Sequence, residues 1–333
     1  MIISRTPFRI SFFGGGTDYP IHYKKHGGAV LATSINKYCY INCRYLPPFF
    51  DYKYRIVYSK VEHCKKIVEI DHPSVKNCLK FMDIDKGIEI HHDGDLPARA
   101  GLGTSSSFTV GLINALYALK GKMITKRQLA LDAINIEQNL IRESVGSQDQ
   151  VTTAFGGFNK IEFDGEQEFK TQPVTIKKDT LQTLQNHMML FFTGFSRTAS
   201  SIAGEQIKKT PNRTKELYRM TELVDEAIDI LNEDNTEFND FGKLLHESWM
   251  IKRNLTKKIT TDIIDEIYKN ALKAGAIGGK LLGAGGGGFI LFFVEPKNHK
   301  NVFDKMKNYL HVPFHFENLG SQIIYYTRGD EDI

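Results

Sequence analysis

At 333 residues the chain is long enough for about two domains. Its hydrophobic content of 41% and charged content of 25% are those of an ordinary soluble globular protein, and a net charge of +4 gives no reason to expect nucleic acid or an acidic membrane as partner. Four cysteines do not make a disulfide framework, and no Cys-x-x-Cys pair points to zinc. The opening Met1-Ile-Ile-Ser-Arg-Thr-Pro lacks the charged-then-apolar pattern of a signal peptide, and no apolar run reaches membrane-spanning length. These features predict a soluble protein of a reducing compartment, the cytoplasm.

In chain order, residues 2–4 and 9–13 read as strands on either side of Pro7. Gly14, Gly15 and Gly16 break the pattern, and Thr17-Asp18-Tyr19-Pro20 follows. Three glycines between an apolar strand and a polar tetrad suit a backbone that passes close to something, and equally a flexible loop. Residues 30–35 and 38–45 predict a hairpin across Asn36 and Lys37, with Cys39 and Cys43 on one side of a strand. Residues 54–58 and 67–70 continue the sheet, 74–82 form a short helix, and 87–92 form another strand.

Next comes Leu96-Pro-Ala-Arg-Ala-Gly-Leu-Gly-Thr-Ser-Ser-Ser107, the most distinctive stretch of the chain. Gly101 and Gly103 permit sharp turns and leave bare N–H groups. Thr104 to Ser107 bring hydroxyls to the start of a helix whose stripe is Phe108, Leu112, Ala115, Leu116 and Leu119, with Gly121 ending it. A helix start carries free N–H donors and the positive end of the macrodipole, so an anion is favoured there. The plain alternative is a Ser-capped helix after a turn. The pattern is not the Walker loop, which needs Lys directly after the last Gly.

A second helix is predicted over residues 126–143, capped by Thr125 with Gln128 three positions on. Glu137 falls within its apolar stripe of Ala130, Ala133, Ile134, Leu140 and Ile141. A carboxylate on a buried face needs an ion-pair partner or a bound cation, and spacing alone favours the ion pair. Residues 146–150 read as a polar loop whose carboxylate, Asp149, suits an Asx turn. A strand over 158–163 follows, then a domain boundary near 180–187. The second half predicts a strand at 188–192, a helix opened by Ser196-Arg197-Thr198, helices at 214–232, 238–255 and 262–273, the glycine run 283–288 and a strand at 289–294. A helix at 297–310 and strands at 312–316 and 322–326 close the chain. The class is α+β.

Three segments together resemble the GHMP kinases, the superfamily of galactokinase, homoserine kinase and mevalonate kinase. They are Arg5-Thr-Pro-Phe-Arg-Ile-Ser-Phe-Phe-Gly-Gly-Gly-Thr-Asp18, the loop from Pro97 to Ser106, and Lys280-Leu-Leu-Gly-Ala-Gly-Gly-Gly-Gly288. The resemblance covers essentially the whole chain. It implies a two-domain fold: residues 1–183 like domain 2 of ribosomal protein S5, carrying the ATP phosphate loop, and residues 184–333 ferredoxin-like. The triple-glycine Gly14-Gly-Gly-Thr-Asp-Tyr19 and the stretch from Phe192 to Ser200 are similar to the heptose phosphate kinases of the superfamily. The first is also similar, less closely, to the kinase part of L-fucokinase. Ser106 and Ser107 stand where the superfamily usually has two alanines.

By this resemblance Gly101, Leu102, Gly103, Thr104, Ser105 and Ser106 hold the ATP phosphates, and Ser105 and Glu137 hold Mg²⁺, a hard cation that takes oxygen ligands. Ser105 and Ser106 compete for the metal. Asp149 aligns with the catalytic aspartate that accepts the sugar proton, and Arg9 with the basic residue that keeps it charged. Gly15, Gly16, Thr17, Asp18 and Tyr19 match the sugar-binding segment. Gly285 and Gly286 approach substrate, and Arg197 with Thr198 clamp a substrate phosphate. The implied activity is ATP- and Mg²⁺-dependent phosphorylation of the anomeric hydroxyl of a heptose 7-phosphate, feeding nucleotide-activated heptose synthesis for surface polysaccharide. Partners are small molecules, sugar phosphate and ATP, with room for a homodimer. The alternatives are a kinase of an unphosphorylated sugar such as fucose or galactose, a non-catalytic sugar sensor, and a diphosphomevalonate decarboxylase, which the sugar segment disfavours.

Overall fold

The computed structural model describes residues 1–165, 168–194, 199–233 and 238–327. In order, the elements are β1 (Ile2–Phe13), α1 (Pro20–His26), β2 (Gly28–Tyr45), β3 (Tyr54–Val57), β4 (Val61–Cys64), α2 (Pro73–Phe81), β5 (Ile88–Gly94), α3 (Thr104–Leu119), α4 (Lys126–Asn135), α5 (Gln148–Phe155), β6 (Phe158–Phe163), β7 (Lys170–Pro173), α6 (Lys178–Asn186) and β8 (Met188–Phe192). Then come α7 (Ala199–Lys209), α8 (Thr214–Asn232), α9 (Asn239–Arg253), α10 (Asp262–Lys273), β9 (Ala276–Leu281), β10 (Phe289–Val294), α11 (His299–Lys305), β11 (Leu310–His311), β12 (Phe316–Glu317) and β13 (Gln322–Tyr326). The mixture is α+β, as expected.

The first sheet has nine strands and runs β13-β1-β2-β5-β3-β4, with β12 and β6 also paired to β2 and β7 to β6. The second has four, in the order β11-β8-β10-β9. The last strands of the chain therefore return to the first sheet: β13 lies antiparallel to β1, and β12 to β2.

β1 and β2 correct the expected chain of short strands. Both run unbroken, and no hairpin forms at Asn36. The register instead slips between Pro7 and Phe8: Pro7 faces Tyr38 while Phe8 faces Ile35, so Asn36 and Lys37 bulge out. A proline has no N–H for the ladder and belongs at such an irregularity. Asn36 satisfies itself across the bulge, its N–H donating to His315 O at 2.9 Å and its side-chain oxygen accepting from His315 N at 2.6 Å. Cys39 and Cys43 lie on the same face of β2, both buried and free, as are Cys64 and Cys78.

Residues 67–70 are not a strand; Ile67–Glu69 is a 3₁₀ turn whose Glu69 carboxylate gathers the N–H groups of Lys65 and Lys66. The 297–310 helix is confined to α11 after a 3₁₀ turn, Pro296–Asn298. In place of one strand over 312–316 there are two short ones, β11 and β12, on different sheets. Two departures shape the site. The helix over 126–143 stops being α-helical after Asn135, and Ile136–Leu140 forms a π-helical turn, closed by Ile141 N–H to Ile136 O at 2.8 Å. The polar loop over 146–150 is largely helix, because α5 starts at Gln148 and buries Val151, Thr152 and Ala154. None of the described helices is long and apolar enough to cross a membrane.

Candidate active site

A cavity of about 190 Å³ opens where the two sheets meet. Its wall includes Arg9 and Ser11 of β1, Gly15, Gly16, Asp18 and Tyr19, the loop and first turn of α3, residues 143–149, Lys252 of α9, Lys280 of β9 and Gly283. The expected segments thus converge from four separate stretches of sequence.

The glycine loop leads into a helix that starts at Thr104, as the sequence predicts. Gly103 caps α3 in the left-handed region, with φ +72°. Residues 104–106 follow as the first turn, whose N–H groups have no intrahelical acceptor. Ser107 is not free for ligand; its hydroxyl donates within the fold, to Pro7 O at 3.0 Å or Gly103 O at 2.9 Å. Leu102 is buried and serves through its carbonyl, which accepts the Arg9 N–H at 3.0 Å. The third glycine segment buttresses this loop. A Cβ on Gly101 would stand 2.4 Å from Leu282 O, so side chains are excluded where the two backbones cross.

Arg9 is 3% exposed and grips Asp149 at both oxygens, Nε to Oδ1 and Nη2 to Oδ2, each at 2.7 Å. Its Nη1 donates to Gly101 O at 2.8 Å. One guanidinium therefore fixes the carboxylate and the phosphate loop together, a geometry only the planar fork provides. Asp149 keeps a quarter of its side chain exposed, toward the cavity it lines.

Glu137 stands behind Ser106, 1% exposed. Its Oε2 accepts from Ser106 Oγ at 2.9 Å and from the Gln150 amide, while among the described residues its Oε1 makes no well-formed hydrogen bond, the Thr109 hydroxyl only lying near enough to favour the charged form. Burial raises its pKa to about 7, against the hydrogen bonds that favour the charged form. Among the described residues no ion pair accounts for it, against the reading that spacing alone preferred. An orphaned buried carboxylate oxygen beside a hydroxyl fits a hard divalent cation. The π-helical turn brings it there, a distortion common at functional sites. Of the two competing serines, Ser106 touches Glu137, whereas Ser105 is exposed on the cavity wall.

At the other end, Asp18 is 2% exposed, its oxygens accepting from Gly16 N at 2.9 Å and Gln148 N at 3.2 Å. Burial raises its pKa. Gly146 packs so closely that a Cβ there would lie 1.9 Å from Asp18 Oδ2. Gly15, Gly16 and Tyr19 share this wall. Thr17 does not: it is fully buried, and its hydroxyl bonds Gly14 O at 2.8 Å and accepts from Ala29 N at 3.1 Å, bracing the glycine turn. Gly285 and Gly286 also stand apart from the cavity wall, against Ile259, whose carbonyl accepts the Gly286 N–H at 2.9 Å. Arg197 and Thr198 lie outside the described residues. Sequence reasoning missed Ser11, Gln148, Gln206, Lys252 and Lys280 on the wall. Lys280 alone carried a signal, as the first residue of the third glycine segment.

The fold and the cavity, with a glycine loop at a helix start facing a clamped carboxylate, suit a kinase of small molecules. Models of the GHMP kinases N terminal domain and the GHMP kinases C terminal domain match residues 68–157 and 227–312. The D-glycero-alpha-D-manno-heptose 7-phosphate kinase of Campylobacter jejuni is 30% identical, across 92% of this chain and 93% of that protein. The galactokinase of Pyrococcus furiosus is 26% identical, across 93% and 94%. The crystal structure of a D-glycero-D-manno-heptose 1-phosphate kinase from Bacteroides thetaiotaomicron superposes with a TM-score of 0.75 at 25% identity, covering 98% of this chain and all of that one. The chain belongs to the GHMP kinases. Within that family it is a sugar kinase, with heptose phosphate kinases among its relatives.

Proposed function

We propose that this enzyme transfers the terminal phosphoryl group of ATP to the anomeric hydroxyl of D-glycero-D-manno-heptose 7-phosphate, giving the 1,7-bisphosphate for nucleotide-activated heptose synthesis. The observation that carries the chemistry is the Asp149 carboxylate, held at both oxygens by Arg9 and tied through it to Gly101 of the phosphate loop. Sugar and phosphate donor then meet at one carboxylate. The heptose and its 7-phosphate come from the relative of 30% identity.

In this mechanism the N–H groups of residues 101–106 bind the ATP phosphates. Glu137, with Ser106 or Ser105, would hold Mg²⁺, which would supply neutralisation of phosphate charge. Asp18, its two oxygens already oriented by backbone N–H groups, accepts sugar hydroxyls and sets the ring's position. Asp149 takes the proton from the attacking hydroxyl as the new O–P bond forms and the bond to the ADP oxygen breaks. A carboxylate has lone pairs beyond the two that Arg9 uses, so it can do both.

An ADP-release assay across heptose 7-phosphate, free heptose, fucose, galactose and mevalonate tests the assignment. Preference for the phosphorylated heptose is expected. Comparable use of a free sugar overturns the substrate, and a kinase of an unphosphorylated sugar, as the galactokinase relative is named, replaces it.

A further inference from the structure

Two ammonium groups are set into the cavity wall with little to compensate them. Lys252, at the end of α9, is 5% exposed, and Lys280, on β9, is 1% exposed. Lys252 Nζ donates to Gly283 O at 2.5 Å, and Lys280 Nζ to Phe12 O at 2.7 Å. An ammonium has three donors, so two on each remain, and neither lysine has a carboxylate within ion-pair distance among the described residues. Burial pushes both pKa values down, that of Lys252 to about 8. A buried cation with one carbonyl partner is unfavourable in the free protein. It makes sense where an anion arrives to complete it.

The charges around Lys252 come from four other elements: Arg9 on β1, Asp18 in the loop after it, Asp149 on α5 and Lys280 on β9. On the cavity wall Arg9, Arg99, Lys252 and Lys280 stand against Asp18, Glu143 and Asp149, and Arg9 is already paired with Asp149, which leaves the two lysines without a carboxylate partner of their own among the described residues. The two lysines differ in position. Lys280 is fixed to the end of β1 at Phe12. Lys252 is joined through Gly283 to the phosphate loop, for a Cβ on Gly283 would lie 2.5 Å from the Gly101 Cα. Gly101 is also the residue whose carbonyl holds Arg9.

We propose that Lys252 is a catalytic residue of the kinase: its ammonium binds the phosphoryl group in flight between the phosphate loop and Asp149. The proposal rests on the kinase reading above. Transferred phosphoryl carries charge on its equatorial oxygens, and a donor already in place where that charge gathers stabilises it most. The cation reaches the cavity from the end of α9, near the Arg9–Asp149 pair.

The test compares wild type with Lys252→Met and Lys252→Arg. Loss of a donor of this kind lowers kcat by about 10²-fold. Lys252→Met is expected to show that loss with KM for ATP and sugar changed little, and Lys252→Arg to recover part of it. If Lys252 only tethers Gly283, Lys252→Met raises KM for ATP and leaves kcat at saturation near wild type, which overturns the proposal. A binding readout stands beside the rates. Lys252→Met should weaken the complex with Mg-ADP and aluminium fluoride, a mimic of phosphoryl in transfer, and leave Mg-ADP affinity unchanged. Equal weakening of both, or of neither, overturns the proposal. If wild type turns over none of the sugars, the substrate reading falls, and the fluoride comparison still decides for or against Lys252.

Discussion

The two sides of the cavity differ in how their charged groups are compensated. The nine-stranded sheet and its helices bring the carboxylates, Asp18, Asp149 and Glu137, each supported by hydrogen bonds from its own side. The four-stranded sheet and α9 bring Lys280 and Lys252, each with a single carbonyl. On the proposed mechanism the acidic side holds a metal and a sugar. The basic side is left hungry for an anion. Neither wall makes a site alone, which places the chemistry at the junction of two cores rather than within one.

The sharpest break in this contrast is Asp149→Asn. It leaves shape and hydrogen-bonding capacity nearly intact but removes the proton acceptor, so turnover should fall ~10²–10⁴-fold. Steady-state kinetics with calorimetric ATP binding checks it: binding should survive.

Glu137→Gln comes next. Losing a ligand charge should raise the Mg²⁺ needed for half-maximal rate about tenfold or more, read from a magnesium titration. The same variant has a stability signature. Glu137 has its folded pKa raised from 4.5 to about 7. The folded state therefore binds the extra proton in this window, and stability is lost as pH rises from 4.5 through 7. Metal-free Glu137→Gln should be more stable than wild type at pH 8, by on the order of 1–3 kcal/mol, in a denaturant titration.

Lys252 tests the opposite wall with the opposite slope. Its folded pKa is lowered from 10.5 to about 8, so the unfolded chain binds more protons between those values. Stability on this account rises with pH across that window, and is reduced at pH 7. Lys252→Met should therefore melt higher at pH 7 than wild type, by an amount on the order of 1–3 kcal/mol. Losing activity while gaining stability is the mark of a group retained for function.

The smallest effect separates the serines. Ser106→Ala removes the hydroxyl on Glu137 and should shift the magnesium titration in the direction of Glu137→Gln. Ser105→Ala, exposed and unattached to Glu137, should shift it less.

Much of the acidic wall was legible in the sequence because its residues contradict their surroundings. Glu137 stood out as a carboxylate in an apolar stripe, and the glycines around 101–103 as backbone without side chains. Asp149 was legible only through resemblance, since the α5 start it occupies reads as a polar loop. The basic wall was not legible. Lys252 closes a buried stripe of Phe241, Leu245 and Trp249 on α9. A lysine in the last turn of a helix ordinarily complements the dipole and extends into solvent. Its contact with Gly283 of the third glycine segment turns it inward. Thr17 erred the other way: a polar residue beside Asp18 looks like a sugar ligand, yet its hydroxyl is consumed by the turn that aims Asp18. The continuous β1 and β2 were hidden because Pro7 and Asn36 are ordinary strand breakers, and only their placement opposite one another makes a bulge.

β13 has a consequence for how the chain is made. β1 carries Arg9, and one edge of it is covered by residues 322–326, which are synthesised long after it. Until then that edge of β1 offers unpaired N–H and C=O groups beside an apolar face, the kind of surface that pairs with other chains. β2 can shield only the other edge. The strand that bears Arg9 is thus sealed only by a segment made long after it. Truncations that remove 322–326 should harm yield through misassembly during synthesis, even though no residue of β13 lines the cavity.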